Sequence, residues 1–171
     1  MRLLDVEDSL TPADHQTHRR YPFAVPANCT RLSLHVQYAP KFASAAETSR
    51  LVAHAVAHQH ADLLTRGVEP ALTDAWAQAA VGPERIANLP TVSLDDASGV
   101  YRGAAHRQPA DMRLVLASDA ASPGLVAGPL PAGEWQLTVS IHTLVSPSVT
   151  LSIHVGADTA SSDPSAARSS T

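Results

Sequence analysis

The chain is poor in cysteine, lysine, aromatic residues and long apolar runs, and each shortage excludes a class of structure or function. A single cysteine, Cys29, has no partner for an internal disulfide and cannot form a cysteine-based zinc site. Lys41 is the only lysine and the formal net charge is −4, so the chain lacks the basic surface that binds nucleic-acid phosphates. No apolar run approaches the length of a membrane span, and the acidic segment 1–10 does not resemble a signal peptide. We therefore expect no nucleic-acid or membrane partner and a cytoplasmic location.

The length and composition predict one domain. Aromatic residues make up 4% of the 171 residues, so a core must be built mainly from Leu, Val, Ile and Ala. We predict a single domain over residues 1–156, in which residues 1–20 form an extended polar lead-in. The small, polar and repetitive segment 157–171 has nothing to bury and is predicted to be a disordered tail.

The clearest pattern lies in the segment 129–155, which contains two runs of alternating apolar and polar residues. The apolar positions are Trp135, Leu137, Val139 and Ile141 in the first run and Val149, Leu151, Ile153 and Val155 in the second. A period of two is typical of half-buried antiparallel strands. The short link 143–147 predicts that the two strands pair as a hairpin, whose apolar face other elements must cover.

The rest of the chain predicts further strands around one helical segment. Segment 21–26, bracketed by prolines, is expected to be an edge strand, and segment 31–38 alternates cleanly. Further strands are expected at 91–94, 100–102 and 112–117, with helices at 44–66 and 70–80. The predicted fold class is mostly β: an antiparallel, jelly-roll-like β-sandwich with a two-helix insertion at about 44–81. The insertion is expected to cover one sheet face or one barrel mouth.

Three segments in this order resemble a known bacterial domain. They contain Pro22-Phe23 with Val25-Pro26, Tyr101-Arg102-Gly103, and Gly128-Pro129-Leu130-Pro131 with Trp135. Together they resemble the N-terminal β-sandwich that precedes the PHP metal-dependent hydrolase domain in CehA/McbA-type proteins. The resemblance implies a β-sandwich that works beside such a hydrolase.

The same resemblance argues against hydrolase chemistry in this chain. Members of the family continue into a PHP domain that opens with a His-x-His pair, whereas this sequence continues into its serine-rich segment. His58-Gln59-His60 has that spacing but lies within a predicted helix rather than at a strand end. None of the metal ligands of the family can therefore be transferred to this sequence.

One candidate metal site lies on the longer predicted helix. His54, His58 and Asp62 are spaced at i, i+4 and i+8, so their side chains share one helix face and could bind a divalent metal such as zinc. The glutamate of an HExxH motif is missing, because Ala55-Val56-Ala57 fills that gap. A solvated helix face without a cofactor is the preferred interpretation, and a small metal-dependent hydrolase that uses these three residues is the alternative.

Three strands carry the same Ser-x-His pattern, ending in His35, His142 and His154. The hairpin prediction places His142 and His154 about 20 Å apart at ~3.4 Å per residue, too far for a shared metal. We therefore interpret them as ordinary half-exposed strand histidines.

The sequence contains no nucleophile elbow and no phosphate-binding glycine loop, so catalytic residues are predicted to be absent. The leading prediction is a non-enzymatic accessory or interaction module that binds a protein partner, such as a separately encoded metal-dependent hydrolase, or self-associates as a homodimer. A second alternative is a carbohydrate- or small-ligand-binding sandwich. It would use the polar face of Gln136, Thr138, Ser140, Thr150 and Ser152, and would need Trp76 or Tyr101 to be exposed.

Overall fold

The computed structural model describes residues 1–80, 82–105 and 109–160, which contain eight β-strands and two α-helices. The strands are β1 (Arg2–Leu10), β2 (Thr17–Val25), β3 (Cys29–Ala39), β4 (Leu89–Asp95), β5 (Tyr101–Ala105), β6 (Asp111–Ala117), β7 (Gly133–Thr143) and β8 (Val149–Thr159). The helices are α1 (Ala45–Thr65) and α2 (Pro70–Ala79), and both lie between β3 and β4.

The strands form two antiparallel sheets of four strands each. Sheet A has the order β1-β8-β3-β6, and sheet B has the order β2-β7-β4-β5. The first strand pairs with the eighth, the second with the seventh, the third with the sixth and the fourth with the fifth. This is the arrangement of an eight-stranded jelly roll. The predicted fold class, an antiparallel β-sandwich with a two-helix insertion, is confirmed.

The core lies between the two sheets and follows the alternation seen in the sequence. Strands β3, β7 and β8 turn their apolar residues inward and most of their polar residues outward, because successive side chains of a strand point to opposite faces. The predicted inward positions are all buried: Leu32, Leu34, Val36 and Tyr38 of β3, Trp135, Leu137, Val139 and Ile141 of β7, and Val149, Leu151, Ile153 and Val155 of β8.

The predicted hairpin between β7 and β8 is wrong. Strand β7 pairs with β2 and β4 in sheet B, whereas β8 pairs with β1 and β3 in sheet A. The connection after Thr143 crosses from one sheet to the other, and its residues Leu144 and Ser146 are buried. Each of the two strands therefore covers its apolar face against the opposite sheet instead of sharing one sheet with its neighbour in sequence.

The predicted boundaries also change at both ends of the chain. Residues 1–20 contain an edge strand, β1, in place of the expected lead-in, and β2 already begins at Thr17. In β1 the partly buried Val6 and the buried Leu10 alternate with exposed Asp5, Glu7 and Ser9. Strand β8 continues to Thr159, past the predicted boundary at residue 156. The part of the predicted tail at 161–171 lies outside the described residues.

The two predicted helices are confirmed, and the local sequence explains their ends. Ser44 caps α1: its hydroxyl accepts from the backbone N–H of Glu47, and the Glu47 carboxylate accepts from the backbone N–H of Ser44. The helices pack against each other, and neither makes comparable contact with a strand, which argues against the predicted cover of a sheet face. The other predicted position, over one mouth of the barrel, stays a prediction. Neither described helix combines the length and apolar character needed to cross a membrane.

Candidate functional site

One cross-strand row of polar residues crosses the outer face of sheet A. We call it the histidine row; in register it consists of Asp5 of β1, His154 of β8, His35 of β3 and Arg113 of β6. The two imidazoles lie directly opposite each other on the interior strands of the sheet, with ring centroids 6.1 Å apart. Their side chains are 46% and 26% exposed for His154 and His35, so both rings are accessible from solvent.

Each of these histidines has a carboxylate on the side away from the other. The Nε2 atom of His35 is hydrogen bonded to Oδ1 of Asp111 at 2.8 Å, and Nδ1 of His154 lies 2.7 Å from Oδ1 of Asp5. Asp111 also accepts a hydrogen bond from the amide of Gln37 at 2.9 Å. Desolvation raises the pKa of Asp111, but the hydrogen bonds from His35 and Gln37 outweigh it and leave that pKa below its ordinary value.

A cavity of about 470 Å³ opens beside the two histidines on the same face. Gly156 and Ser33, which oppose each other in register, form part of its lining and leave space because they carry almost no side chain. Arg2 and Arg113 also line the cavity. Arg2 contacts the Asp5 carboxylate, and Nε of Arg113 lies 3.6 Å from Oδ1 of Asp111. Both arginines around the cavity are therefore paired with a carboxylate.

Sequence reasoning missed this histidine pair. It compared His142 with His154 through the hairpin, but His142 lies on sheet B, where its Nε2 is hydrogen bonded to Thr91. The repeated Ser-x-His pattern correctly placed His35 and His154 on the outward faces of their strands. Only the pairing of β3 with β8, which is not evident from local sequence, makes these two residues neighbours.

The outer face of sheet B carries a second cavity, of about 570 Å³, which is lined mainly by polar residues. Its lining includes Arg20, Asp95, Gln136, Thr138 and Ser140. The Nε2 atom of Gln136 is buried and has no hydrogen-bond partner. At the edge of the sheet Tyr101 pairs with Asp95 and is 56% exposed.

The polar face expected from the sequence is divided between the two sides of the sandwich. Gln136, Thr138 and Ser140 lie on sheet B, whereas Thr150 and Ser152 lie on sheet A. The expected face assumed that β7 and β8 share a sheet, so the correction has the same cause as the wrong hairpin.

The third region is the helical hairpin formed by α1 and α2. A groove of about 600 Å³ runs between the helices and is lined mainly by Val52, Ala53, Val56, Ala57 and Ala77. Leu72 and Trp76, one turn apart on α2, are 64% and 40% exposed. The buried residues of the two helices are Thr48 and Thr73, so no apolar side chain of this hairpin is fully covered.

The predicted metal ligands His54, His58 and Asp62 are exposed on α1 and do not line this groove. Asp62 instead lies 3.6 Å from the guanidinium of Arg66. Across residues 1–80, 82–105 and 109–160, no three His, Cys, Asp or Glu side chains form a group that could hold a metal ion. A metal on His54, His58 and Asp62 stays a prediction.

The residues behind the family resemblance meet in a structural cluster at sheet B. Arg102 donates to the backbone carbonyls of Val126, Gly128 and Pro129, and its guanidinium lies 5.3 Å from the ring centroid of Trp135. The indole of Trp135 donates to the carbonyl of Pro131 at 2.8 Å. These contacts hold the loop before β7 against the sandwich, so Arg102 and Trp135 have a structural role in this fold.

No protein-family model matches the chain, and no curated protein matches it significantly in sequence. The resemblance to the N-terminal domain of CehA/McbA-type proteins therefore stays a prediction.

Proposed function

We propose that the protein is a non-enzymatic interaction module that docks through its helical hairpin, and that the occupant of the docking surface is a second copy of the chain. One observation carries the proposal. Helix α1 has 21 residues, yet its only buried residue is Thr48. A helix with an apolar face normally buries that face against other parts of the fold.

The chemistry of the exposed face favours association over simple solvation. Val52 and Val56 line an open groove, and α2 adds two exposed apolar residues, Leu72 and Trp76. Exposed apolar surface of this kind is typical of a docking site, and tryptophan is common among the residues that contribute most to binding. The small side chains of Ala53 and Ala57 allow another helix to approach closely.

The size of the surface fits a weak symmetric dimer. At 1.5 Å per residue α1 is about 31 Å long and α2 about 15 Å. Two hairpins packed face to face around a two-fold axis would bury on the order of 1,000 Å² in total, which is the lower limit for a specific interface. The association is therefore expected to depend on protein concentration, with a four-helix arrangement at its centre.

Sedimentation velocity over a wide concentration range tests the proposal. The wild-type chain is expected to shift from monomer to dimer as its concentration rises. Ala57→Arg places a charge in the groove while preserving helix propensity, and Trp76→Glu removes an exposed apolar contact; both are expected to remain monomeric. Val126→Glu is the matched control. Like Trp76, Val126 is an exposed apolar residue, with 59% of its surface accessible, but it lies on a loop of the sandwich outside the helical hairpin.

A wild-type chain that stays monomeric throughout the concentration range would overturn the proposal. So would a dimer that persists in both helix variants, because its interface would then lie elsewhere, for example at the exposed edge strands of the sheets. Circular dichroism of each variant shows whether the helices are retained, so that loss of the dimer is not confused with loss of the hairpin.

A second candidate function is the binding of a polyhydroxylated ligand, such as a sugar, on the outer face of sheet B. The exposed ring of Tyr101, next to the polar cavity around Asp95 and Gln136, favours it. Sugars combine hydroxyl groups with apolar C–H faces, so an exposed aromatic ring beside carboxylate and amide groups matches them.

Isothermal titration with a set of neutral and acidic oligosaccharides tests this second candidate. Binding is expected to be weakened by Tyr101→Ala and by Asp95→Asn. The control Val100→Ala removes the neighbouring exposed apolar side chain without touching the cavity lining. If no oligosaccharide binds, or if binding is unchanged in both cavity variants, the candidate is excluded.

A further inference from the structure

The histidine row combines two features that metal-binding histidines share. The first is position: His35 and His154 are directly opposite on β3 and β8, the two interior strands of sheet A. Interior strands are held by hydrogen bonds on both sides, so the two rings are carried by a rigid frame. Both rings face outward beside an open cavity.

The second feature is the carboxylate next to each ring. Imidazoles that bind metals usually have their other ring nitrogen oriented by a carboxylate or carbonyl, which sets the tautomer and strengthens the ligand. Here Oδ1 of Asp111, on the neighbouring strand β6, is hydrogen bonded to Nε2 of His35. On the other side, Oδ1 of Asp5, on β1, lies 2.7 Å from Nδ1 of His154. The remaining nitrogens are Nδ1 of His35 and Nε2 of His154, the latter hydrogen bonded to the hydroxyl of Ser152 at 3.1 Å.

We propose that His35 and His154 form a two-histidine site for a divalent transition-metal ion such as Zn²⁺, Cu²⁺ or Ni²⁺ on the outer face of sheet A. Asp5 and Asp111 act as positioning residues that orient the rings and do not bind the metal. Imidazole ligands favour these metals over Mg²⁺ or Ca²⁺.

The ring separation is compatible with a shared ion. We assume a metal–nitrogen distance of about 2.0–2.1 Å. The centroids of two imidazole ligands then lie about 5 Å apart when the N–metal–N angle is tetrahedral and about 6.4 Å apart when it is linear. The observed 6.1 Å falls within this range. Side-chain rotation that brings the rings about 1 Å closer gives the tetrahedral geometry, at the cost of the hydrogen bond between His154 and Ser152.

A site with two protein ligands leaves other coordination positions open. The cavity lined by Arg2 and Arg113 also touches both histidines, so water or a small anion can reach the ion from there. The site is independent of the helical hairpin, and either proposal can fail without the other.

Isothermal titration of the full, untagged chain with ZnCl₂ tests the proposal, and the electron paramagnetic resonance spectrum with Cu²⁺ identifies the ligands. One ion is expected to bind, and the Cu²⁺ spectrum should show coupling to two imidazole nitrogens. His35→Ala and His154→Ala are each expected to lower affinity at least tenfold and to remove one nitrogen coupling. Asp5→Asn and Asp111→Asn should lower affinity by about 10–100-fold while both couplings remain.

The matched control is the double variant His54→Ala/His58→Ala, which removes the exposed histidine pair on α1. The proposal requires that this variant bind Zn²⁺ as the wild type does. Binding that is lost in the control and kept in His35→Ala/His154→Ala would overturn it, and so would the absence of binding at millimolar Zn²⁺. Equal binding in all variants would show only adventitious binding and would also overturn it. Thermal unfolding of each variant confirms that the sandwich is intact.

Discussion

Arg102 forms a buried ion pair with Asp96, with 3.3 Å between Nη1 and Oδ2 and side chains that are only 5% and 7% exposed. Asp96 also accepts backbone hydrogen bonds from Ser98 and Val100 through its other oxygen. The Arg102 guanidinium has further partners in the carbonyls of the loop before β7. A buried charge is tolerated only when it is paired and hydrogen bonded in this way.

Removal of the guanidinium should destabilise the fold strongly. Arg102→Met leaves the buried Asp96 charge and the loop carbonyls without their partner, so we expect the free energy of unfolding to fall by about 3–5 kcal/mol. The measurement is urea unfolding followed by circular dichroism. Arg66→Met is the control: its ion pair with Asp62 is exposed, and the expected loss is below about 1 kcal/mol. Equal losses in the two variants would contradict the structural role of Arg102.

The close contact of Gly103 with Gly124 should not tolerate a side chain. A Cβ atom on Gly103 would lie 2.2 Å from the carbonyl oxygen of Gly124, and Gly103 has φ +103°. Gly103→Ala is therefore expected to cost more than the strain of a positive φ alone, which is about 1–2 kcal/mol. Gly67→Ala measures that strain alone, since Gly67 has φ +79° and no atom within 4 Å of an added Cβ. The idea fails if the two substitutions lower the urea midpoint equally.

Asn88 joins the base of the helical insertion to the connection between β7 and β8. It is fully buried; its amide donates to the carbonyl of Pro40 and the hydroxyl of Ser146, and its Oδ1 accepts from the N–H groups of Val145 and Ser146. Asn88→Ala leaves these groups unpaired, at about 1–3 kcal/mol for each buried group that stays unsatisfied.

Two measurements check the prediction for Asn88. The melting temperature should fall, and hydrogen exchange at the amides of Val145 and Ser146 should become faster. Asn28→Ala is the matched control, because Asn28 is exposed and its side chain donates to the carbonyl of Ala160. Unchanged exchange at residues 145 and 146 would show that the contacts of Asn88 contribute little.

Cys29 should react slowly with alkylating reagents at neutral pH. Burial raises the pKa of its thiol, an effect that a backbone hydrogen bond at Arg31 only partly opposes. Because the thiolate is the reactive form, a raised pKa means less thiolate at neutral pH than in a free cysteine. We expect the rate of iodoacetamide labelling to rise only at a pH above that needed by a free thiol. Urea-unfolded protein serves as the fast-reacting control, and folded protein that labels as fast would refute the prediction.

The local sequence determined the strand faces and the helix ends. Alternation identified the buried sides of β3, β7 and β8, because side-chain direction in a strand depends only on position in the chain. The ends of α1 are also set by local features: Ser44 and Glu47 cap its start, and Gly67, with a positive φ, follows its end. Strand β1 was missed because the adjacent Leu3 and Leu4, at a shift in register, break the alternation that marks the other strands.

The tertiary structure decided which strands are neighbours. An apolar face can be covered by helices or by an opposite sheet, and alternation does not distinguish these cases. The link after β7 could therefore make a hairpin or a crossing between sheets, and the crossing is what the fold contains. The same pairing decides the candidate sites: it separates His142 from His154, joins His154 to His35, and divides the expected polar face between the two sides of the sandwich. These relationships link residues far apart in the chain, so they follow from how the whole chain packs and not from any local pattern.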